Sequence, residues 1–496
     1  MPSRTARWLA LLFLCSFPAA ASLERAPELR IAQRLPDVSM QQLAAQPRPT
    51  ATLPHEQRRE SATRAQARTA FTTNVVPAPA ATLPPVHIAG GFSSAYDNLG
   101  RYPSDANGAV GPRHVLTTSN TDFLVHDRTG KTLSDVTIDQ FWHDPAAADG
   151  ALYDTRAAYD TAADRWIIVS LYDVSYADSA VLVAVSLTGD PSASWKRFRF
   201  KTDPGGSGVA DYARIALTTD SLLVTANVES DYGLYADIWV IKKAELLSSF
   251  PPSAVQLHSS LPELTPVASD RAEPPRFAVA RGGQLLLYTL NGTTLTQTSA
   301  IGSPFTYGDS TIFATAIAPQ LGSPTAMDVG DPTVHYAIAR SGVLWVVQAV
   351  YVSSPTRAAI VWWQIPLNGG TTRSGMIVDP TGSFSFPSLA VNRSGTAFIG
   401  YAFFRSDIYP SAGAIIVDAS GNSSTNALVK GGETPSRTSR WADFSGSVVD
   451  PLNDLDFWTV QSYPRAESQG SRSGAWATWW THLDFPPPAR TRAARH

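Results

Sequence analysis

The sequence predicts an all-β protein, most of which forms a single β-propeller. From about residue 90 onwards, short apolar runs rich in β-branched and aromatic residues alternate with clusters of Gly, Pro, Asp, Asn and Ser, the pattern of strands joined by tight turns. One unit of this kind recurs seven times, and its copies start near residues 105, 154, 211, 275, 332, 386 and 442. A repeat of about 56 residues suits one four-stranded blade with its loops.

Each copy begins with a Pro, Asp or Ser cluster, continues as a short strand of small residues, turns, and ends in a strongly apolar strand. Ser104–Val110 followed by Val115–Thr117 is one example, and Asp154–Tyr159 followed by Arg165–Val169 is another. Small residues suit the crowded innermost strand of a blade. We therefore predict seven blades of four antiparallel strands over residues 86–485, against the alternative of a β-sandwich pair or a β-helix. Ring closure would need the last strand, Ala475–Thr481, to pair with the first blade.

The N-terminal residues 1–21 have the order of features of a secretory signal peptide. Arg4 and Arg7 precede the apolar run Trp8–Phe17, and the small-residue site Ala19–Ala21 follows. The single cysteine, Cys15, lies within the apolar run, so the mature chain would carry no thiol. We expect secretion to the periplasm or the medium of a bacterium, and no later segment is apolar enough to predict a transmembrane span.

The two ends of the chain differ in composition from the repeats. Residues 22–85 are rich in Ala and Pro and predict a largely disordered linker or propeptide, which could be removed or could pack over the channel mouth. Residues 486–496 predict a flexible Arg-rich tail.

Composition excludes several classes of protein. The net charge is -3 and only 16% of residues are charged, without basic runs, so a nucleic-acid partner is not expected. One cysteine excludes a disulfide scaffold and a cysteine-built zinc site. The sequence contains no HExxH, P-loop, GxSxG or GxGxxG motif.

Two segments resemble known propellers. Thr188–Trp195 resembles the Asp box of sialidase-like proteins, although Ser192 stands where that motif has Gly. Pro103–Pro112 resembles the P-x-D-x-N-G-x-V-G-P opening of a group of large secreted bacterial proteins, mostly uncharacterised. These resemblances imply secretion and a propeller fold, and they imply no particular reaction.

The first strand of each blade lines the channel of a propeller, so polar residues at the unit starts are the candidate site residues. The catalytic candidates among the acids are Asp105, Asp154, Asp211 and Asp443. Two carboxyl groups held apart would serve glycoside hydrolysis. Alternatively, these acids form hydrogen bonds between blades or hold a structural Ca²⁺ on the axis; no other metal or cofactor is expected.

Arginines recur at the same place in the repeat. Arg156, Arg214 and Arg276 occupy three successive units, and Arg440 and Asn107 complete the candidate substrate-binding residues. A guanidinium grips a carboxylate at two points, so this set would suit an acidic sugar. Alternatively, each arginine pairs with an aspartate of the next blade and holds the ring together.

His335 and Tyr212 are the candidate bases of a lyase, which removes a proton beside a uronate carboxylate. A lone histidine in a strand is also an ordinary packed residue. Two hypotheses therefore stand: a secreted hydrolase or lyase of an acidic polysaccharide, or a non-catalytic propeller that binds a surface protein or polysaccharide. The enzyme predicts clustered acids with separated pKa values, the binding module predicts paired charges and an exposed apolar patch, and a monomer is expected in both cases.

Overall fold

The computed structural model describes residues 26–48, 76–77, 82–98, 100–144, 150–175, 178–202, 208–230, 233–307, 317–352, 357–467 and 473–485. The predicted signal peptide, most of the predicted linker and the predicted tail lie outside these residues.

The regular secondary structure of the described residues is almost all strand, with 62% strand and 4% helix. Strands β1 to β17 span Glu28–Ile31, Gln33–Ser39, Val76–Pro77, His87–Tyr96, Asn107–Val110, His114–Thr118, Asp122–Asp127, Thr132–Thr137, Ala151–Asp160, Arg165–Ser175, Asp178–Ser186, Ser194–Lys201, Gly208–Leu217, Ser221–Ser230, Gly233–Lys242, Ser253–Ser259 and Thr265–Ser269. Strands β18 to β33 span Arg276–Arg281, Gln284–Asn291, Thr294–Gly302, Ile317–Gln320, Ser323–Asp328, Val334–Arg340, Val343–Val352, Arg357–Pro366, Arg373–Ile377, Ser383–Val391, Ala397–Arg405, Ile408–Val417, Ala427–Lys430, Gly446–Val449, Phe457–Pro464 and Trp476–Asp484. Helices α1, α2 and α3 span Met40–Ala44, Ile138–Trp142 and Lys243–Leu247. None of these helices has the length and hydropathy that a membrane crossing requires.

Most strands pair antiparallel with their neighbours in the chain, and the predicted all-β propeller is confirmed. Strands β5–β8 and β27–β30 form four-stranded sheets, and β9–β12 and β13–β16 each gain a fifth strand from the N-terminal residues. A nine-stranded sheet contains both β17–β20 and β23–β26. Because two predicted units share that continuous sheet, the count of seven blades stays a prediction.

The innermost strands contact one another in a closed cycle, which makes them the wall of the central channel. The order around the cycle is β5, β9, β13, β17, β23, β27 and β31, followed by β5 again. In the fourth unit the sequence pattern misidentified this strand. It predicted residues 275–279 as innermost, whereas β17 holds that place and runs parallel to β23. The sequence pattern did not identify β17 because this strand is short and contains Pro266, whereas β18 has the stronger apolar run.

Ring closure differs from the prediction. Strand β33 is the third strand of the sheet that begins with β31, and the N-terminal strand β4 adds the fourth, with Trp480 opposite Phe92. The closed sheet then binds its neighbour, because Trp480 Nε1 donates to Thr117 Oγ1 at 2.7 Å and Ser94 Oγ lies 2.6 Å from His126 Nε2. The N-terminal strand therefore removes the open edge of the last sheet.

Residues 26–48, here called the N-terminal strap, form part of the folded ring, so the prediction of a disordered segment is wrong for them. Strand β1 pairs with the outer strand β16, and β2 pairs with the outer strand β12. Met40 of α1 is fully buried in the core between β8 and β12. The sequence shows no apolar stripe here because an added edge strand needs mainly backbone hydrogen bonds and a few anchors.

Candidate functional site

Four aspartates converge where the inner strands begin. Carboxylate oxygens of Asp105, Asp154 and Asp443 lie within 4.8 Å of one another. Asp211 lies in the first half of the inner strand β13, and the charge of Asp443 acts on its carboxyl group. We call these four residues the acidic cluster. They come from four different sheets, so only the closed ring brings them together.

The backbone turns at an equivalent point in three of these strands. Asp105, Asp154 and Tyr212 all have positive φ, at 46°, 53° and 56°. The pairing register shifts at the same place between β9 and β10 and between β13 and β14, so the inner strands β9 and β13 each carry a bulge. Bulges and left-handed residues redirect side chains, and repeated strain of this kind marks a place where side-chain direction matters.

Asp105 and Asp154 hold neighbouring sheets together. Asp105 Oδ1 accepts the Asp443 N–H at 2.9 Å, and its Oδ2 accepts the Asn120 amide at 2.7 Å. Asp154 Oδ2 accepts the Tyr212 N–H at 2.5 Å. Both aspartates are buried. Their contacts match the alternative of hydrogen bonding between blades, and they fix the backbone beside the other two acids.

Asp211 and Asp443 are placed differently. Asp443 accepts from Arg440 Nη2 at 2.5 Å, and Arg440 Nη1 also lies 3.6 Å from Asp328. Asp211 is exposed to solvent although protein atoms crowd it, as expected at the floor of a recess. Asp211 is thus the accessible carboxyl group, and Asp443 is the one with a cationic partner.

Burial raises the pKa of every carboxyl group in the acidic cluster. Desolvation, followed by the charge of Asp443, raises the pKa of Asp105 to about 7 and that of Asp211 to about 6. Desolvation also raises the pKa of Asp154 and of Asp443, and for Asp443 the Arg440 charge opposes the shift. Protonated and ionised carboxyl groups therefore coexist in this recess near neutral pH.

Two further acids lie at the end of the channel that holds the acidic cluster, and the sequence pattern did not predict them. Desolvation, then the charges of Glu263 and Asp443, raises the pKa of Asp331 to about 7. Asp331 directly precedes the unit that starts at Pro332, a position that could have identified it. Glu263 precedes β17, and it was missed because that strand was not recognised.

Below the acids lie two buried guanidinium groups, which we call the arginine layer (Arg156 and Arg214). The Arg156 guanidinium stacks 4.0 Å from the Phe444 ring centre and 5.1 Å from that of Tyr336. Its Nε and Nη1 have no hydrogen-bond partner among the described residues. Arg214 lies 4.2 Å from the Tyr212 ring centre, and its Nε is likewise unpartnered within the described chain. The contacts that hold these two guanidinium groups are therefore with aromatic rings and not with an aspartate of the next blade.

Two predicted substrate-binding residues lie elsewhere. Arg276 is on the second strand β18, and its ion pair is with Glu273. The prediction of Arg276 in the channel is wrong because β18 is the second strand of its sheet and not the inner one. Asn107 sits deeper, where its Nδ2 donates to the Tyr336 hydroxyl at 3.1 Å and its Oδ1 accepts the Ala157 N–H at 2.9 Å. Both of its polar atoms are used in holding strands together.

His335 and Tyr212 adjoin the arginine layer, with ring centres 6.4 Å apart. Burial, then the charges of Arg214 and Arg156, lowers the pKa of His335 to about 3, so its neutral ring is a weak base. Burial raises the pKa of Tyr212, whose hydroxyl donates to the Asp443 carbonyl at 3.2 Å. Neither group is therefore suited to the proton abstraction of a lyase.

Among the described residues, two clusters of three side chains have the spacing to surround one metal ion. One is Asp105, Asp154 and Asp443, but Asp105 already uses both oxygens as acceptors and Arg440 balances Asp443. The other is Asp450, Asp456 and His482, where Arg128 and the Trp458 Nε1 group already bind Asp450. These contacts assign no ion, and a structural Ca²⁺ stays a prediction.

A cavity of about 370 Å³ lies at the opposite end of the channel. The ends of the inner strands line it, largely with apolar side chains such as Ala109, Leu217, Ile338 and Leu389. No member of the acidic cluster lines this cavity. The candidate site is therefore the acidic mouth with the arginine layer beneath it.

No protein-family model and no curated protein matches the chain. Solved structures do match at low identity. The WD40 domain of SCAP from fission yeast is 8% identical, covers 84% of this chain and 97% of its own, and has a TM-score of 0.34. The GH93 α-L-arabinofuranosidase of Fusarium graminearum with arabinobiose is 11% identical, covers 78% and 97%, and has a TM-score of 0.37. A fungal alcohol oxidase of the AA5 family with copper is 11% identical, covers 82% and 75%, and has a TM-score of 0.40. At these scores the comparisons identify neither a family nor an activity.

Proposed function

We propose that this protein is a secreted glycoside hydrolase that acts on an acidic polysaccharide at the mouth formed by the acidic cluster. The observation that carries the proposal is the meeting of four carboxyl groups from four sheets, of which Asp211 is exposed and has a pKa of about 6. Hydrolysis of a glycosidic bond needs one protonated and one ionised carboxyl group, held apart on either side of the bond.

The exposed Asp211 and the arginine-paired Asp443 take different roles. Asp211, protonated near its pKa, donates its proton to the glycosidic oxygen as the bond to the anomeric carbon breaks. Asp443, whose charge Arg440 stabilises, balances or attacks the developing positive centre, and a water molecule completes the hydrolysis. Asp105 and Asp154 are positioning residues, because they hold the Asp443 and Tyr212 backbone amides.

The arginine layer supports an acidic substrate. Arg156 and Arg214 are each 2% exposed and retain donor atoms without partners among the described residues. Buried cations with free donors match the planar carboxylate of a uronate. Tyr212 covers Arg214 and is partly exposed at the mouth, so a shift of this side chain would open the layer to the sugar.

The second candidate is a binding propeller without catalysis. The burial of Asp443 favours it, because this carboxylate is 8% exposed and already bound to Arg440, which leaves Asp211 as the one exposed acid of the cluster. The two candidates differ in turnover, because only the hydrolase releases new reducing ends, so one experiment separates them.

The decisive experiment is a screen of the purified protein against neutral and uronate-containing polysaccharides, reading both reducing ends and the absorbance of unsaturated uronates. We expect new reducing ends from an acidic polysaccharide and no unsaturated product. Unsaturated product would establish a lyase and overturn the hydrolase. Binding without release of reducing ends would establish the binding propeller.

Arg156→Met tests the acidic-substrate part of the proposal. Methionine keeps an apolar chain against Phe444 and removes the charge, so KM for the acidic substrate should rise roughly 30-fold, as expected for the loss of a charge-assisted contact. The KM for the same substrate after methyl esterification should not change. Arg276→Met, outside the channel, is the matched control. An equal rise on both substrates would contradict a carboxylate contact.

A further inference from the structure

The N-terminal strap contacts three consecutive sheets from outside the ring. Its strands extend the sheets of β16 and β12, and α1 packs beside β8. The Ser134 hydroxyl of β8 donates to the Met40 carbonyl at 3.2 Å. The Nε of Arg197, a residue only 1% exposed, donates to the Pro36 carbonyl at 2.8 Å. Loss of the strap would leave this buried donor without its acceptor.

The last described residue of the strap, Arg48, binds two carboxylates of the first sheet. Its Nη1 lies 3.1 Å from Asp122 Oδ1, and its Nη2 pairs with Asp135. Asp122 is 2% exposed, and the Asn98 amide also donates to it at 3.4 Å. A carboxylate this deeply buried needs a cationic partner, and Arg48 reaches it from the strap.

Asp122 closes the turn 119–122 that touches the acidic cluster. Ser119 Oγ accepts the Asp122 N–H at 3.0 Å and donates to its carbonyl at 3.1 Å, which fixes the turn. From this turn, the Asn120 N–H donates to the Ser104 carbonyl at 3.3 Å. The Asn120 side chain donates to Asp105 Oδ2 at 2.7 Å. Asp105 in turn accepts the Asp443 N–H.

A continuous set of contacts therefore runs from the strap to the site. Its members in order are Arg48, Asp122, the turn 119–122, Asp105 and Asp443. We infer that the N-terminal strap is a retained part of the folded protein that positions the acidic cluster from outside the ring through Arg48. The effect of the strap on catalysis rests on the proposed function. Its effect on the structure of the acidic cluster does not.

Hydrogen–deuterium exchange of the full chain tests this inference without a substrate. In Arg48→Ala we expect roughly tenfold faster exchange in residues 103–107, 119–122 and 441–445, because the turn loses its anchor. Arg48→Lys keeps the charge and should restore most of the protection. Arg34→Ala is the matched control, since Arg34 forms its ion pair with Asp37 inside the strap.

Two outcomes would overturn the inference. One is exchange in Arg48→Ala that equals exchange in Arg34→Ala. The other is faster exchange confined to β1, β2 and their partner strands, which would make Arg48 only an anchor of the strap. If Arg48→Ala fails to fold, Asp135→Asn removes one carboxylate partner and should give a smaller change in the same three segments.

Activity then separates this inference from the proposed function. If the protein hydrolyses an acidic polysaccharide, Arg48→Ala should lower kcat with little change in KM, and Arg48→Lys should recover it, as expected for a positioning residue. If no polysaccharide is cleaved but exchange at the mouth still responds to Arg48, the strap inference stands and the hydrolase proposal fails.

Discussion

Replacing Asp211 by asparagine is expected to lower kcat on an acidic polysaccharide by about a thousandfold, with KM nearly unchanged. The loss follows because general-acid catalysis typically contributes 10²–10⁴-fold, and asparagine cannot donate a carboxyl proton. Asp211 is exposed, so the substitution by asparagine should not disturb folding. Initial rates on the wild type and the variant provide the measurement.

A substrate with an activated leaving group sharpens this test. A 4-nitrophenyl glycoside of the same sugar leaves without full protonation, so Asp211→Asn should lose far less activity on it than on the polysaccharide. Asp220→Asn is the matched control, because Asp220 lies at the opposite end of the hairpin β13–β14. An equal loss on both substrates would show that Asp211 does not act as the proton donor.

Lowering the pH from 8 to 6.5 should raise the free energy of unfolding of this protein. Burial raises the folded-state pKa of three carboxyl groups to about 6 or 7, those of Asp105, Asp122 and Asp331. For a raised carboxyl pKa, the folded state binds more protons than the unfolded state, so the stability present at low pH is lost as the pH rises through 6 to 7. Integrated over this window, the gain on acidification is about 2 kcal/mol, or on the order of 2 °C in Tm.

Histidines limit this gain at lower pH. Burial lowers the pKa of His126 to about 4 and that of His335 to about 3. Their stability is complete above the unfolded pKa of about 6.5 and is lost as the pH falls toward these values. The rise on acidification should therefore be cleanest above pH 6.5 and should weaken below it.

Thermal unfolding at pH 8, 6.5 and 5 measures this dependence, and Asp105→Asn tests its source. The variant has no titratable group at this position, so its Tm should vary less between pH 8 and pH 6.5 than that of the wild type. Asp407→Asn is a surface control, since Asp407 is exposed and pairs only locally with Arg405. A Tm that falls from pH 8 to pH 6.5 in the wild type would contradict the buried, proton-holding cluster.

Repeat spacing predicted much of the fold and part of the site. Because each unit starts with the same short strand, the positions of Asp105, Asp154, Asp211 and Asp443 within their units implied that they line one channel. The pattern failed in the fourth unit, where Pro266 interrupts a short inner strand and the stronger run of β18 misplaced Arg276. Glu263 was missed for the same reason.

The strap was also beyond the reach of the sequence pattern. An edge strand added to a finished sheet needs backbone hydrogen bonds and few apolar anchors, so Ala/Pro-rich composition does not distinguish it from a linker. Ala32, Leu35 and Met40 are the buried anchors of the strap, and three residues at these spacings give no strand or helix period.

The sequence by itself determined the strand repeat, the all-β class and the residue types at the start of each inner strand, because these depend on local patterns of apolar and turn-forming residues. Only the tertiary structure decided which acid is exposed, which carboxylate Arg440 balances and which acids serve as hydrogen-bond anchors. Those distinctions depend on contacts between different sheets, such as that of Asp105 with Asp443, and on burial, which shifts a pKa only after the ring has closed.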